Sequence, residues 1–321
     1  MSLLSILIKK IRNKLKDIII FRFLFNTRFY FFLYKGYWHY LLFPKNKLEK
    51  KNKNNYLSIN VNFGARIGHQ FANYNAAIFY AKKLGLTHIH TQFPDKKWET
   101  TLDINFNCIS SESLLKKGYK KIQLPRFKEK NISEISKIKK IIRSYHKQKV
   151  VFFLEIDQPY TNQYEVASAL QQKFFSSPQR KKEKLIYKKN NFNVAVHIRT
   201  GDILQNTKIR KQRFLDIDYF IDAINKSLSI IKTNKKIVIH IFAEKNDKSF
   251  LKLKQFHNIK LCYNLNQYKT FLHFIYADLL ITSKSSFSYK AALINRGIKL
   301  CPKQFWHKYP KNNKNWVLID V

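Results

Sequence analysis

Cysteine is scarce in this chain. Its 321 residues hold three: Cys108, Cys262 and Cys301. An odd number at unrelated spacing excludes a disulfide framework and points to a reducing compartment. Cys262 and Cys301 fall in the apolar runs "IKLCY" and "IKLCP" and read as buried, inert thiols. No cluster of Cys, His or carboxylate has metal-ligand spacing. Carboxylates are also few. Twenty Asp and Glu stand against 61 Lys and Arg, for a net charge of +41. Such a surplus raises nucleic acid as a partner. The basic residues are spread over the whole chain, with no zinc-ligand spacing and no aromatic motif for single strands. Nucleic acid is therefore not expected as the main partner. Long uncharged runs are lacking too. No window long enough to span a bilayer is free of charge, and a signal peptide's apolar core and cleavage site are absent.

What is present is a foldable composition, 45% hydrophobic and 15% aromatic. A chain this long buries a sizeable core and usually splits in two. Residues 1–55 stand apart. There, Leu, Phe, Trp and Tyr alternate with Lys and Arg, and "KNKLEKKNKNN" follows as a solvated linker. That mixture suits a helix lying on an anionic membrane surface, a reading the linker favours over a core helix with a solvated basic face. The first reading implies a cytoplasmic protein held peripherally at the inner face of the membrane.

Beyond the linker, "YLSINVNF" reads as a strand, "GARIG" as a turn and "HQFANYNAAIFYAKKLG" as a helix closed by Gly85. "NISEISKIKKIIRSYHK" is a helix with Asn131 and Glu134 at capping-box spacing, and Asn162 and Glu165 repeat that spacing. The stretch 94–130 shows no clear pattern. The second half alternates strictly, starting from strand "VAVHIR" and the helix "DIDYFIDAINKSLSII". Ile217, Phe220, Ile221, Ile224, Leu228 and Ile231 form one stripe of that helix. "KIVIHIFAE", "IKLCY", "DLLITS" and "IKLCP" follow as strands. "NDKSFLKLKQFH", "NQYKTFLHFIYA" and "SSFSYKAALIN" follow as helices, the last stopped by Gly297. This predicts an α/β protein with parallel sheets covered by helices on both faces. Two Rossmann-like domains, 56–190 and 191–321, would face each other across a cleft, with ligands outside the carboxyl ends of the strands.

Four strand ends carry polar groups. In "HIRTGD", His197 and Arg199 share a strand face, and a guanidinium at this point can grip a phosphate with two bonds. Asp202 can orient Arg199, cap the turn or act as a base. In "ITSKSSFSY", Ser283, Ser285, Ser286 and Ser288 run into a helix start. The segment is an anion site or a plain serine cap, and a phosphate shared with Arg199 favours the former. Glu244 can accept from ribose or sugar hydroxyls, or lie exposed. In "FGARIGHQ", Gly64 and Gly68 allow a tight turn and close backbone approach. His69 and Gln70 open the next helix, where His69 is a proton acceptor or a structural cap. The pair Asp216 and Asp218 has the D-x-D form of metal-dependent sugar transferases. It opens a helix, so capping explains it better.

Taken in order, "GARIGHQFANYNAAIFYAKKLG", "VAVHIRTGDI" and "ADLLITSKSSFSYKAALINRGIKLCPKQFWH" resemble the α-1,2-fucosyltransferases and their bacterial relatives, over residues 57–319. The resemblance implies a two-domain GT-B fold and metal-independent, inverting transfer from a GDP-sugar, with no cofactor. The donor would be held by the C-terminal domain and a glycan acceptor would lie on the N-terminal side. It maps the family's His-x-Arg-Arg-x-Asp onto His197, Arg199 and Asp202, with Arg199 on the β-phosphate. The segment Ser285, Ser286, Phe287, Ser288 would supply the second phosphate contact. Thr200 stands where the family has its second arginine. "NLNQYKTFLHF" lacks the carboxylate that related enzymes use to read guanine, leaving Glu244 as a substitute. A GT-B transferase with another donor, or a basic protein binding nucleic acid or anionic membrane, are the competing readings.

Overall fold

The computed structural model describes residues 28–44, 55–200, 212–263 and 265–321. A 3-10 turn at Arg28–Leu33 leads into α1 (Lys35–Leu42), β1 (Asn55–Ile59), α2 (Ile67–Leu84), β2 (Thr87–His88), α3 (Lys96–Leu102) and α4 (Ser111–Lys116). β3 (Lys120–Gln123), α5 (Ile132–Ser144), β4 (Val150–Leu154) and α6 (Ala167–Ser176) follow. The second half runs β5 (Asn191–His197), α7 (Ile217–Ile230), β6 (Lys236–Ala243), β7 (Ile259–Tyr263), α8 (Gln267–Tyr276) and β8 (Leu279–Ile281). It ends with α9 (Ser286–Ile294), β9 (Ile298–Pro302) and β10 (Trp316–Ile319). The fold is mixed α/β with two parallel sheets, ordered β2-β1-β4-β3 and β10-β9-β8-β5-β6-β7. Central strands of such sheets are covered on both faces, so they read as continuous apolar runs. β4 is buried along its whole length, as are Val194–Val196 of β5.

Two compact units emerge. The first holds the described residues up to Asn60, with Tyr80–Thr91 and Ile109–Pro159. The second holds Val61–Phe79, Gln92–Cys108 and the described residues from Tyr160 to Val321. This division differs from the expected cut at residue 190. The second unit takes in the turn before α2 and most of that helix.

In the second sheet the chain runs from β5 outward through β6 to β7, then returns to β8 on the other side of β5. The strand order therefore reverses between β5 and β8. Their pairing sets Val196 against Ile281, so His197 onward and Thr282 onward leave the sheet side by side. At the opposite end, Asp278 Oδ2 accepts from the Asn193 N–H (2.7 Å). Gly297 is required there, because a Cβ on it would fall 2.1 Å from the Asp278 carbonyl oxygen. Close approach explains this glycine better than a helix stop, and Asn295 is the C-cap of α9.

Several local expectations change. "NDKSFLKLKQFH" is a 3-10 helix over Lys248–Gln255. Leu228 of the α7 stripe is exposed, while its neighbour Ser227 is buried and Ile230 and Ile231 pack against the core that Phe220 and Ile224 fill. Asn131 caps α5 by accepting from the Glu134 N–H (3.1 Å). The Asn162 side chain makes no cap bond and instead donates to the Glu165 side chain (3.0 Å), beside a 3-10 turn. The stretch 94–130 holds α3, α4 and β3, too short to show a period. In the segment set apart as 1–55, Tyr30, Phe31 and Tyr34 are buried in the first unit, with Tyr34 Oη donating to Glu155 (3.0 Å).

Candidate functional site

Ligands of open parallel sheets sit where the strand order reverses, outside the carboxyl ends. Here that point lies between β5 and β8, both in the second unit. His197 ends β5, and its Nδ1 shares a hydrogen bond with Ser283 Oγ (3.0 Å) beyond β8. Burial, with help from the Arg199 guanidinium, pushes this imidazole down to about 3. A neutral His197 therefore braces the two strand ends. Arg199 follows two residues later and is half-buried. Thr200, in the position that departs from the family pattern, is buried, and its Oγ1 accepts from the Lys245 N–H (3.3 Å). It ties the end of β5 to the end of β6, where Glu244 lies exposed. Asp202 lies outside the described residues.

The serines divide their work. Ser285 is buried and caps α9, accepting from the Phe287 N–H (3.3 Å). Ser288 is fully buried and its hydroxyl donates back to the Ser285 carbonyl (3.4 Å). These two hydroxyls, and the Phe287 amide, serve the helix itself. The Phe287 ring packs with Trp98, Phe271 and Phe274. Ser286 differs: it is half-exposed, and Oγ shares a hydrogen bond with His307 Nε2 (2.9 Å). The α9 N-terminus keeps first-turn N–H groups with no helical carbonyl to receive them, and they favour an anion.

The turn before α2 reaches the same place. A Cβ on Gly68 would sit 3.0 Å from Ser286 Cβ, so the glycine lets the turn press on the start of α9. Gly64 faces open space and meets no such demand. Gln70 turns inward, its amide donating to the carbonyls of Asn62 and Ala65, and holds the turn in shape. His69, in the first turn of α2, is exposed. It lies near enough to His307 to act electrostatically on that ring. Burial, then the charges of Lys290 and His69, push the His307 imidazole down to about 2. Tyr289 stacks on His307 at 4.2 Å and locks its orientation.

Two residues here escaped the sequence reading. Lys284 sits in the bend between β8 and α9, half-buried, with no protein partner among the described residues. Burial lowers its ammonium below the ordinary value. It is the one charged residue in "ITSKSSFSY", which was the available signal. His307 closes the third motif, but its link to Ser286 needs the fold. Lys290 is a different case. It is fully buried, donates to Gln163 Oε1, and is pushed well below its usual range by burial. Buried and paired with Gln163, it serves packing. The D-x-D pair is structural as well: Asp216 caps α7 through the Tyr219 N–H (3.0 Å), and Asp218 pairs with Lys252 (2.9 Å).

The second sheet thus gathers a guanidinium, an ammonium, a helix N-terminus and a hydroxyl where its strand order reverses. That set suits a phosphate or diphosphate. The model of Glycosyl transferase family 11 matches residues 19–320. The chain belongs to that family and is a glycosyltransferase. No curated protein matches its sequence. Among solved structures, POFUT1 in complex with GDP-fucose is similar at 13% identity, covering 85% of this chain and 100% of its own, with a TM-score of 0.46. Fucosyltransferase NodZ from Bradyrhizobium is similar at 11% identity, covering 76% of this chain and 93% of its own, with a TM-score of 0.43.

Proposed function

We propose that the protein transfers fucose from GDP-fucose to a glycan hydroxyl, with inversion, in the manner of the α-1,2-fucosyltransferases. Family membership and the three motifs support this reading. The observation that carries it is the His197–Ser283 bond, which sets Arg199 and the Lys284–Ser286 bend side by side where the strand order reverses. The acceptor oxygen attacks the anomeric carbon. The bond from that carbon to the diphosphate oxygen breaks, and GDP leaves with the electron pair. Arg199 and Lys284 face the charge growing on the β-phosphate, with Ser286 and the α9 amides beside it. Lys284 returns the positive charge that Thr200 takes from the family pattern. His69 takes the acceptor proton, and Glu244 accepts from a donor hydroxyl. No metal ion is needed in this scheme.

A second reading, another nucleotide-sugar on the same phosphate grip, draws on Thr200 and on the missing carboxylate in "NLNQYKTFLHF". A donor-hydrolysis screen over GDP-, UDP- and ADP-sugars, with and without EDTA, separates the two. We expect GDP release from GDP-fucose, unchanged by EDTA. Turnover of a UDP- or ADP-sugar instead overturns the donor, and loss of activity in EDTA overturns the metal-free scheme.

A further inference from the structure

The N-terminal aromatic segment has two faces, and the donor chemistry uses neither. One face is packed. A Cβ on Gly36 would meet Ile141 Cγ2 at 3.1 Å and Ile122 Cγ2 at 3.2 Å, so α1 lies hard against α5 and β3. The His39 ring stacks on Tyr145 at 3.8 Å, and its Nδ1 shares a hydrogen bond with Ser144 Oγ (2.9 Å). These contacts fix α1 and commit the other face to the outside. That face carries Phe29, Phe32, Trp38, Leu41, Leu42 and Phe43, all exposed, with Phe29 at 69% and Leu42 at 71%. It is continuous. Phe32 contacts both Phe29 (6.4 Å) and Trp38 (5.2 Å), and Trp38, Leu41 and Leu42 fall at helical spacing. Trp38 Nε1 donates to the Phe32 carbonyl (2.7 Å), tying the ring to the segment. Soluble surfaces rarely leave so much contiguous apolar area open without a partner.

Charge identifies the partner. Residues 28–44 contain no carboxylate. Lysines border the segment: Lys137 lies over the Phe31 ring (5.3 Å), and the charges of Lys120 and Lys35 bear on His39. Residues 1–55 hold 13 Lys and Arg against two carboxylates. A net charge of +41 repels a second copy and attracts an anionic surface. Aliphatic Leu41 and Leu42 beside Trp and Phe suit the boundary between headgroups and acyl chains. No helix among the described residues is long and apolar enough to cross a bilayer. We infer that the exposed aromatic face of residues 29–43 docks the protein on an anionic lipid bilayer surface. The inference is independent of which sugar donor is used.

The test is co-sedimentation of the full chain with phosphatidylcholine vesicles, with and without phosphatidylglycerol. The wild type is expected to partition onto the anionic vesicles and to leave them as salt rises. Phe29→Ser/Leu42→Ser/Phe43→Ser alters only exposed side chains, so the fold and its melting temperature should hold. Its partition is expected to fall by at least ~10-fold, since burial of even one such side chain is worth that much. Vesicles are also expected to shift Trp emission to the blue in the wild type but not in Trp38→Phe. Undiminished binding by the triple variant overturns the inference, as does equal binding to neutral vesicles. So does a wild-type dimer that the triple variant dissociates while no vesicle binding is seen.

Discussion

At the carboxyl end of the first sheet, Asn60 donates to Gln123, whose amide donates in turn to the Phe153 carbonyl (2.8 Å). Ser58, Thr91 and Ser111 form a hydroxyl chain of 2.6 and 2.8 Å, and buried Glu155 accepts from Tyr34. At the carboxyl end of the second sheet, Glu244 and Lys284 have no protein partner among the described residues, and Ser286 is held from behind by His307. Both sheets are parallel, and both end in polar side chains. In the first, those groups satisfy one another, as buried polar groups must. In the second, His197, Ser283 and Thr200 brace the strand ends, while Glu244 and Lys284 are left over among the described residues. A site in such a fold is marked by polar groups the protein orients without consuming.

The contrast breaks most visibly at Arg199. Arg199→Ala should lower turnover by ~10²-fold or more, the range for losing one preorganised charge contact. Near-normal transfer would remove the assignment. The braces behind the second site add a pH dependence. The His197 and His307 imidazoles sit at about 3 and about 2 in the folded protein. In the unfolded chain they titrate near ~6.5. As pH falls below that value the unfolded chain takes up protons first, so stability falls with acidification. Melting curves at neutral and mildly acidic pH should show this loss, and an Asn at both positions should flatten it. Lys284→Ala should raise the donor KM by about 10-fold, the scale of one hydrogen bond to a charged group, and Lys284→Arg should restore most of it. An unchanged KM would return the Thr200 deficit unexplained. Smallest in its effect on catalysis is Tyr34→Phe, which leaves Glu155 without that donor. It should cost about 1–3 kcal/mol of stability by denaturant titration and leave kcat/KM untouched, as expected for a sheet end that is only structural.

Much of the second unit was legible because its strands and helices are long enough to display their periods. "VAVHIR" and "DLLITS" announce neighbouring parallel strands, and Arg199 and the serine bend fall at their ends as the spacing demands. What the sequence could not divide was the labour among the serines. Ser285 and Ser288 are spent on the helix they open, and only the fold separates them from Ser286. His307 comes from 21 residues further on, and Gly68 from the turn before α2, so their meeting at Ser286 is tertiary information. The two faces of the N-terminal segment were hidden for a related reason. Its aromatics alternate without a clean period, since Tyr30, Phe31 and Tyr34 pack inward while Phe29 and Phe32 point out. Gly64 and Gln70 sit in the same motif as Gly68, but one faces open space and the other holds the turn.

The central claim is that a nucleoside diphosphate sits where the second sheet reverses its strand order. Calorimetric titration of GDP into the wild type, Arg199→Ala, Lys284→Ala and Tyr34→Phe tests it directly. The account predicts at least ~10-fold weaker binding for the Arg199 and Lys284 variants, the loss expected for a charge-assisted contact, and wild-type affinity for Tyr34→Phe. Equal GDP affinity in all four proteins would contradict it.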